Sequence, residues 1–256
     1  MADDPVSLTL TTLPGIPAIK PGDNLVEIIF AGLQAAGITL QNGDVLVVTS
    51  KIVSKAEGCV VELTSVTPSE AALQLARETD KDPRVVELVL RESTAVSRKA
   101  RHVLVVQHRL GFVSANAGID QSNLEGAEER VLLLPLDPDA SARAIRVGLQ
   151  ARTGAEVGVV ISDSHGRPFR LGTVGVAIGA AGLPALLDLR GQPDMFGRTL
   201  QISVQGYADM VASAATLLTG EGREGRPVVH LRGLEFSPLD GQASDLYRPA
   251  AQDLYR

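Results

Sequence analysis

Gly220-Glu-Gly222-Arg-Glu-Gly225-Arg-Pro227 meets the glycine spacing of two nucleotide-binding folds and supports neither. The spacing G-x-G-x-x-G serves a dinucleotide when it follows a strand and opens a helix. Here it follows the Ala-rich helical pattern of Tyr207 to Leu218 and leads into the apolar run Val228 to Leu231, which is the reverse order. The G-x-x-x-x-G spacing of a P-loop is also present. Arg226 and Pro227 then stand where Lys and Ser/Thr are required, and Pro227 offers no backbone donor. A Gly-rich turn can still aim N–H groups at an anion, and Glu221 adds a carboxylate there. Taken alone, the segment reads as a loop.

Outward from that loop, the elements are mixed and do not alternate regularly. Val6 to Leu10 alternates as a short strand, and Leu13-Pro-Gly-Ile-Pro-Ala-Ile-Lys-Pro-Gly22 is a constrained loop. Leu25 to Ala36 has helical spacing, with Leu25, Ile28, Ile29 and Leu33 on one face. Val45 to Val48 is a buried strand ending in Thr49-Ser50-Lys51. Thr67-Pro-Ser-Glu70 is a capping box that opens a helix to Glu78, and Pro83 to Glu92 is a second helix. Strands are expected at Val103 to Val106, around Phe112 and at Val131 to Leu134. Asp137 caps a helix reaching Gln150, and Val157 to Ile161 is the strand that delivers Asp163. From Arg170 to Tyr207 the chain is Gly-rich, and residues 237–256 read as a tail. Its echo, Asp245-Leu-Tyr-Arg and Asp253-Leu-Tyr-Arg, is too short for a repeat architecture.

The chemistry concentrates in two stretches, Ala115-Asn-Ala-Gly-Ile-Asp120-Gln-Ser-Asn123 and Val159-Val-Ile-Ser-Asp163-Ser-His165-Gly-Arg167-Pro-Phe-Arg170. In the second, an apolar strand stops at an aspartate and gives way to a turn holding a hydroxyl, an imidazole and two guanidiniums. An aspartate at a strand end is most often a turn former or helix cap. Two such turns in this company favour function. Magnesium takes one or two carboxylates plus substrate phosphates, and Asp120 and Asp163 supply that pair. Guanidiniums fork onto phosphate or carboxylate, so Arg167 and Arg170 point to an anionic substrate at the same place. Thr49, Ser50, Lys51, Ser54 and Lys55 form a dense set of donors suited to phosphate. His165 is a candidate general base against the commoner role of a hydrogen-bonded structural imidazole. Cys59 reads as a small buried apolar residue.

Composition narrows the classes. The 256 residues, 45% hydrophobic, can bury one large core or two connected ones. Net charge is −6, from 24 basic and 30 acidic residues, which argues against nucleic acid. Aromatics are only 3% and tryptophan is absent, so stacking platforms for bases are not expected. Cys59, the only cysteine, builds neither a disulfide framework nor a thiolate metal site and fits a reducing cytoplasm. Met1-Ala-Asp-Asp-Pro5 lacks the basic and apolar regions of a signal peptide. The uncharged run between Arg170 and Asp188 falls short of the ~20 apolar residues of a membrane helix and is broken by glycines. A soluble protein is expected.

Several long motifs, in order, resemble the F420 gamma-glutamyl ligase family: Leu13-Pro-Gly-Ile-Pro17, Gly43 to Gly58, Ala115 to Asn123, Leu134 to Ser141 and Ser162 to Arg170. The resemblance runs from Leu10 to Gly233. It implies an α+β fold, neither P-loop nor Rossmann, in a two-domain protomer that forms an intertwined homodimer. Residues 1–236 would be the ligase domain, with no fused nitroreductase domain. It also implies GTP-dependent addition of L-glutamate to coenzyme F420-0, giving GDP and phosphate, with two magnesium or manganese sites and potassium as a stimulating cation. Carried onto this chain, Ile16, Pro17, Ala18, Ile19, Ser50, Lys55 and Asn123 would contact GTP. The loop Thr219, Gly220, Glu221, Gly222, Arg223, Glu224, Gly225 and Arg226 would line the nucleotide. Asp120 and Asp163 would share one metal, with Ser164 and Glu221 at a second. Family members more often carry threonine at the place of Ser164 and glutamine at that of Glu221. Two other classes use the same residues: another metal-dependent phosphotransferase or hydrolase, and a binding protein whose polar turns are structural.

Overall fold

The computed structural model describes residues 6–124, 126, 128–237 and 239–253. Met1 to Pro5, read above for a leader, and the last three residues of the tail lie outside that range. The first half runs β1 (Thr9–Thr12), α1 (Leu25–Ala35), β2 (Val45–Thr49), α2 (Ser50–Ala56), β3 (Val60–Glu62), α3 (Glu70–Thr79) and α4 (Pro83–Arg91). Then come β4 (Ser93–Ala100), β5 (Val103–His108), β6 (Val113–Ala115), β7 (Arg130–Leu132) and α5 (Pro138–Thr153). The chain continues through β8 (Gly158–Arg167), β9 (Arg170–Ala181), β10 (Leu186–Asp188), β11 (Val204–Gly206), α6 (Tyr207–Thr219) and β12 (Val228–Arg232). This is the expected α+β class.

A five-stranded mixed sheet, in the order β1-β12-β2-β8-β9, carries most of the core. Side chains alternate faces along a strand. Leu46 and Val48 of β2 therefore join Ile29, Leu33, Ile145 and Leu149 under α1 and α5. Val45 and Val47 join Ala208, Val211, Ala212 and Ala215 under α6. Both faces are covered, which is why β2 reads as an unbroken apolar run. A smaller sheet, β4-β5-β6, packs with α3 and α4 around Ala72, Val86, Leu104 and Val106. At the start of β2, Asp44 is 2% exposed and is gripped by Arg232 through Nε to Oδ1 (2.8 Å) and Nη2 to Oδ2 (2.6 Å). Burial alone would raise its pKa, but Arg232, His230 and the Gln41 N–H outweigh it and hold the carboxyl below its usual value.

Several boundaries differ from the sequence reading, each for a tertiary reason. The N-cap of α3 is Ser69, whose hydroxyl accepts from the Ala72 N–H, and not Thr67. Pro68 disfavours helix at the residue before it, and the Ser69 N–H is taken by Glu87. The strand expected around Phe112 is present as β6 and begins one residue later; Phe112 itself closes the turn, its carbonyl accepting from the His108 N–H at 2.8 Å. The strand expected to stop at Asp163 runs on to Arg167 because the Gly-rich stretch returns beside it as β9. The register shifts between Ile161↔Gly179 and Ser162↔Ala177, leaving Ile178 as the extra residue of a bulge. Two helix starts reach the β9 backbone: Asp209 accepts from the Ala177 N–H and Asp139 from the Ala180 N–H, each at 2.8 Å.

Candidate functional site

Strands β2 and β8 are parallel, with Thr49 opposite Ser162, so both hand the chain over at the same end of the sheet. In open α/β sheets, ligands gather outside the carboxyl ends of parallel strands. Here Ser50 donates from Oγ to Asp163 Oδ1 at 3.0 Å, and the other carboxylate oxygen lies 3.0 Å from His165 Nε2. Helix α2 begins at Ser50 and sets Lys51 and Lys55 four residues apart, on one face. That face meets the segment Asp120 to Asn123. Lys51 Nζ lies 2.6 Å from Asp120 Oδ2 and donates to Ser122 Oγ at 2.7 Å, while Lys55 Nζ donates to the Asn123 carbonyl at 2.8 Å.

Asp120 is delivered by backbone pairing. Its N–H and C=O exchange hydrogen bonds with Leu132 at 3.0 and 2.8 Å, and Ser122 N–H donates to Oδ1 at 2.6 Å. Upstream, Asn116 and Ala117 hold φ of 52° and 55°, a left-handed path uncommon outside glycine that costs roughly 1–2 kcal/mol per residue. Asn116 Oδ1 offsets part of that by accepting from the Leu104 N–H. Burial pushes the Asp120 carboxyl up, but the Lys51 ammonium and the Ser122 N–H prevail and hold it below its ordinary value. The Lys55 ammonium is shifted down, first by burial and then by the charge of Lys51, with Asp120 opposing.

A cavity of about 640 Å³ opens between these elements. Its wall includes Ser50, Lys51, Lys55, Asp120, Asn123, Asp163 and Ser164, and the loop after α6 closes the other side with Thr219 to Arg223, Gly225 and Arg226, except Glu224. Two contacts tie that loop to the carboxylate turns. Ser164 Oγ donates to Glu221 Oε1 at 2.5 Å, and Asn123 Nδ2 donates to the Gly222 carbonyl at 3.2 Å.

The structure therefore brings together most of the residues singled out from sequence. Others lie elsewhere. Ile16 to Ile19 do not line the cavity, and Ile19 is buried in the core. Glu224 turns back inside its own loop to accept from the Gly222 N–H. His165 lines a separate cavity of about 140 Å³, and Arg167 Nη2 donates to the Leu171 carbonyl in the β8–β9 hairpin. Sequence reasoning missed Ser122, Thr173 and Thr216, all on the cavity wall. Asp120-x-Ser122 carried a usable local signal, since aspartate often bonds the backbone two residues on.

Among the described residues, no three His, Cys, Asp or Glu side chains group closely enough to cage a metal unaided. The donors facing the cavity are oxygens: the carboxylates of Asp120, Asp163 and Glu221 and the hydroxyl of Ser164. That set fits magnesium or manganese, since magnesium keeps several waters and completes its shell on substrate phosphates.

A polar cavity with convergent carboxylates, hydroxyls and lysines at the shared end of two parallel strands is the default position of a binding or active site. A sequence model of the family described as F420-0:Gamma-glutamyl ligase matches residues 15–233, and the chain belongs to that family of ligases. It is 43% identical over 254 residues to the coenzyme F420:L-glutamate ligase of Methanopyrus kandleri, covering 98% of each chain. The protein of the same name from Methanothermobacter thermautotrophicus is 42% identical over 253 residues, 98% of this chain and all of that one. A third, from Archaeoglobus fulgidus, is 43% identical over 242 residues, 94% of each.

Proposed function

We propose that this chain joins L-glutamate to coenzyme F420-0, with GTP as phosphoryl donor and an acyl phosphate as intermediate. The reading is carried by one observation: in a chain of this family, the carboxylates of Asp120 and Asp163, two lysines and a Gly-rich loop face a single cavity. A carboxylate does not condense with an amine unaided. In the first step the terminal phosphoryl group of GTP moves to the acceptor carboxylate and GDP leaves. In the second, the glutamate amine attacks the acyl carbon, phosphate departs, and the nitrogen loses a proton as the amide forms.

Asp120 and Asp163 would hold one divalent cation, and Ser164 with Glu221 a second. A bound magnesium or manganese ion supplies charge neutralisation at the phosphates. Ser50, Lys55, Asn123 and the loop from Thr219 to Arg226 cradle the nucleotide. Arg167 or Arg170, at the β8–β9 hairpin outside the cavity wall, orients the acidic part of an acceptor that extends past that wall. Potassium is the monovalent cation, and the cytoplasm, consistent with a lone half-buried Cys59, is the working compartment. The working form is a homodimer. Phe169 and Leu171, 93% and 98% exposed at the β8–β9 turn, and Met195 and Phe196 beyond β10 are apolar surfaces suited to a second copy.

Phosphate release is expected only when F420-0 and L-glutamate are both present, with GDP formed in proportion and product gaining one or more gamma-linked glutamates by mass spectrometry. Release without glutamate would identify a hydrolase, and absence of release a binding protein.

The lysines separate by their partners. Lys55→Met is expected to weaken GTP binding about tenfold and lower turnover with it, because methionine matches the length but not the charge beside transferring oxygens. Lys51→Met shifts GTP affinity less, since Lys51 is engaged by Asp120 and Ser122. Calorimetric GTP titration of both variants checks this, and wild-type affinity in Lys55→Met would return that lysine to a structural role.

A further inference from the structure

Behind Asp163 the aromatic residues form a connected set drawn from three parts of the chain. The His165 ring packs on Phe112 with centroids 5.0 Å apart. Phe112, from the turn before β6, stacks on His108 at 4.9 Å and 7°, and Tyr247, from the segment after β12, meets it edge-on at 6.0 Å and 65°. Phe112 is 9% exposed, and the His165 side chain 11%. The Phe112 ring thus covers one side of the imidazole, whose Nε2 lies 3.0 Å from Asp163 Oδ2.

The segment carrying Tyr247 is fastened before it arrives. Asp240 Oδ1 accepts from the Gly182 N–H at 2.9 Å, the Gly241 N–H donates to Leu183 O at 3.0 Å, and the Ala243 N–H donates to Asp139 at 2.9 Å. Its ring lies against Gly111, where a Cβ would come within 2.9 Å of Tyr247 Cδ2. Burial pushes the Tyr247 hydroxyl well above its usual pKa, with Asp139 and Asp209 adding to it, so the ring arrives neutral.

We infer that Phe112 and Tyr247 are positioning residues of the large cavity: Tyr247 seats the Phe112 ring, Phe112 fixes the His165 imidazole, and the imidazole in turn fixes the Asp163 carboxylate. Tyr247 lies beyond residue 233, where the family match ends. The inference rests on the proposed reading of Asp163 as a metal-holding carboxylate. Groups that orient a ligating side chain typically change metal affinity or activity by about 10–100-fold when lost.

The test compares Tyr247→Ala with Tyr247→Phe in the full chain. Manganese affinity is read by electron paramagnetic resonance without substrates, and kcat and KM for GTP are read separately. Tyr247→Ala is expected to bind manganese about tenfold more weakly and to lose about tenfold in kcat, with KM for GTP within about twofold of wild type. Tyr247→Phe restores both, because the ring and not the hydroxyl makes the contact. If Tyr247→Ala does not fold, Tyr247→Leu, which keeps much of the apolar bulk, enters the same comparison. A lower melting temperature with unchanged manganese affinity and kcat would overturn the inference, as would equal losses in the Phe and Ala variants. The manganese readout needs no turnover, so a wild-type chain that binds manganese without glutamate-dependent phosphate release would refute the proposed function and leave the positioning comparison decisive.

Discussion

Asp163→Asn is expected to lower glutamate-dependent phosphate release by about a hundredfold or more, in line with losing one preorganised electrostatic contact in an active site. The fold should survive. Asp163 sits at a cavity wall and its side chain is 20% exposed, and an amide keeps an oxygen for the Ser50 hydroxyl. The charge and its coordination disappear, and the oxygen that faces His165 Nε2 becomes an amide NH2. Asp120→Asn should cost as much activity for the same reason. It also releases Lys51, whose ion pair spans from α2 to the Asp120 turn. The turn itself should stay in place, because its pairing with Leu132 is made by backbone groups. Manganese titration distinguishes these losses from general damage. Both variants should bind the ion at least about tenfold more weakly, and wild-type affinity in both would remove Asp120 and Asp163 from the metal site.

These two carboxylates stood out in the sequence because two polar segments of similar chemistry occur in one chain; either aspartate alone would read as a turn former or helix cap. Lys51, Lys55, Ser164 and Glu221 stood out as residues too, but their meeting did not. Lys51 and Lys55 share a face only once Ser50 to Ala56 is helical, and that helix announces itself weakly: it has seven residues, and its N-cap Thr49 makes no side-chain bond. Ser164 and Glu221 are 57 residues apart and meet only after α6 has packed on β9. Thr216 comes to the cavity by the same packing. The frame was legible where periodicity was strong, as in α1 and β2, and failed where tertiary contact selects the residue. Pro68 and the grip of Glu87 on the Ser69 N–H move the start of α3 two residues past the sequence signal. Arg170 to Ala181 was the largest miss. Read only as Gly-rich, it received no element, yet it is the longest strand of the described residues.

Those glycines yield the second large effect. Gly175 and Gly179 lie in β9 without positive φ, so conformational freedom is not why they are there. Space is. A Cβ on Gly179 would overlap the Pro138 carbonyl at the start of α5, and one on Gly175 would overlap the Thr216 hydroxyl and come within 2.6 Å of the Ala212 carbonyl oxygen in α6. Two helices are thus seated directly on the strand that stiffens Asp163, one on each face, and their obstructing atoms are mostly backbone. Backbone cannot rotate aside as the end of a long side chain can. Gly179→Ala is therefore expected to destabilise the protein by about 3 kcal/mol or more, at or beyond the upper end for an added methyl in a packed core, and Gly179→Val to prevent folding. Gly166 in the neighbouring strand supplies the control, since nothing lies within 4 Å of a Cβ there and its φ is ordinary. Gly166→Ala should change stability by no more than about 1 kcal/mol, with a gain favoured because alanine narrows the unfolded ensemble. Urea unfolding of the three variants measures this directly. Equal stability of Gly179→Ala and Gly166→Ala would mean that α5 can lift from β9 at no cost, and that the close seating of the helices does not hold the Asp163 strand in place.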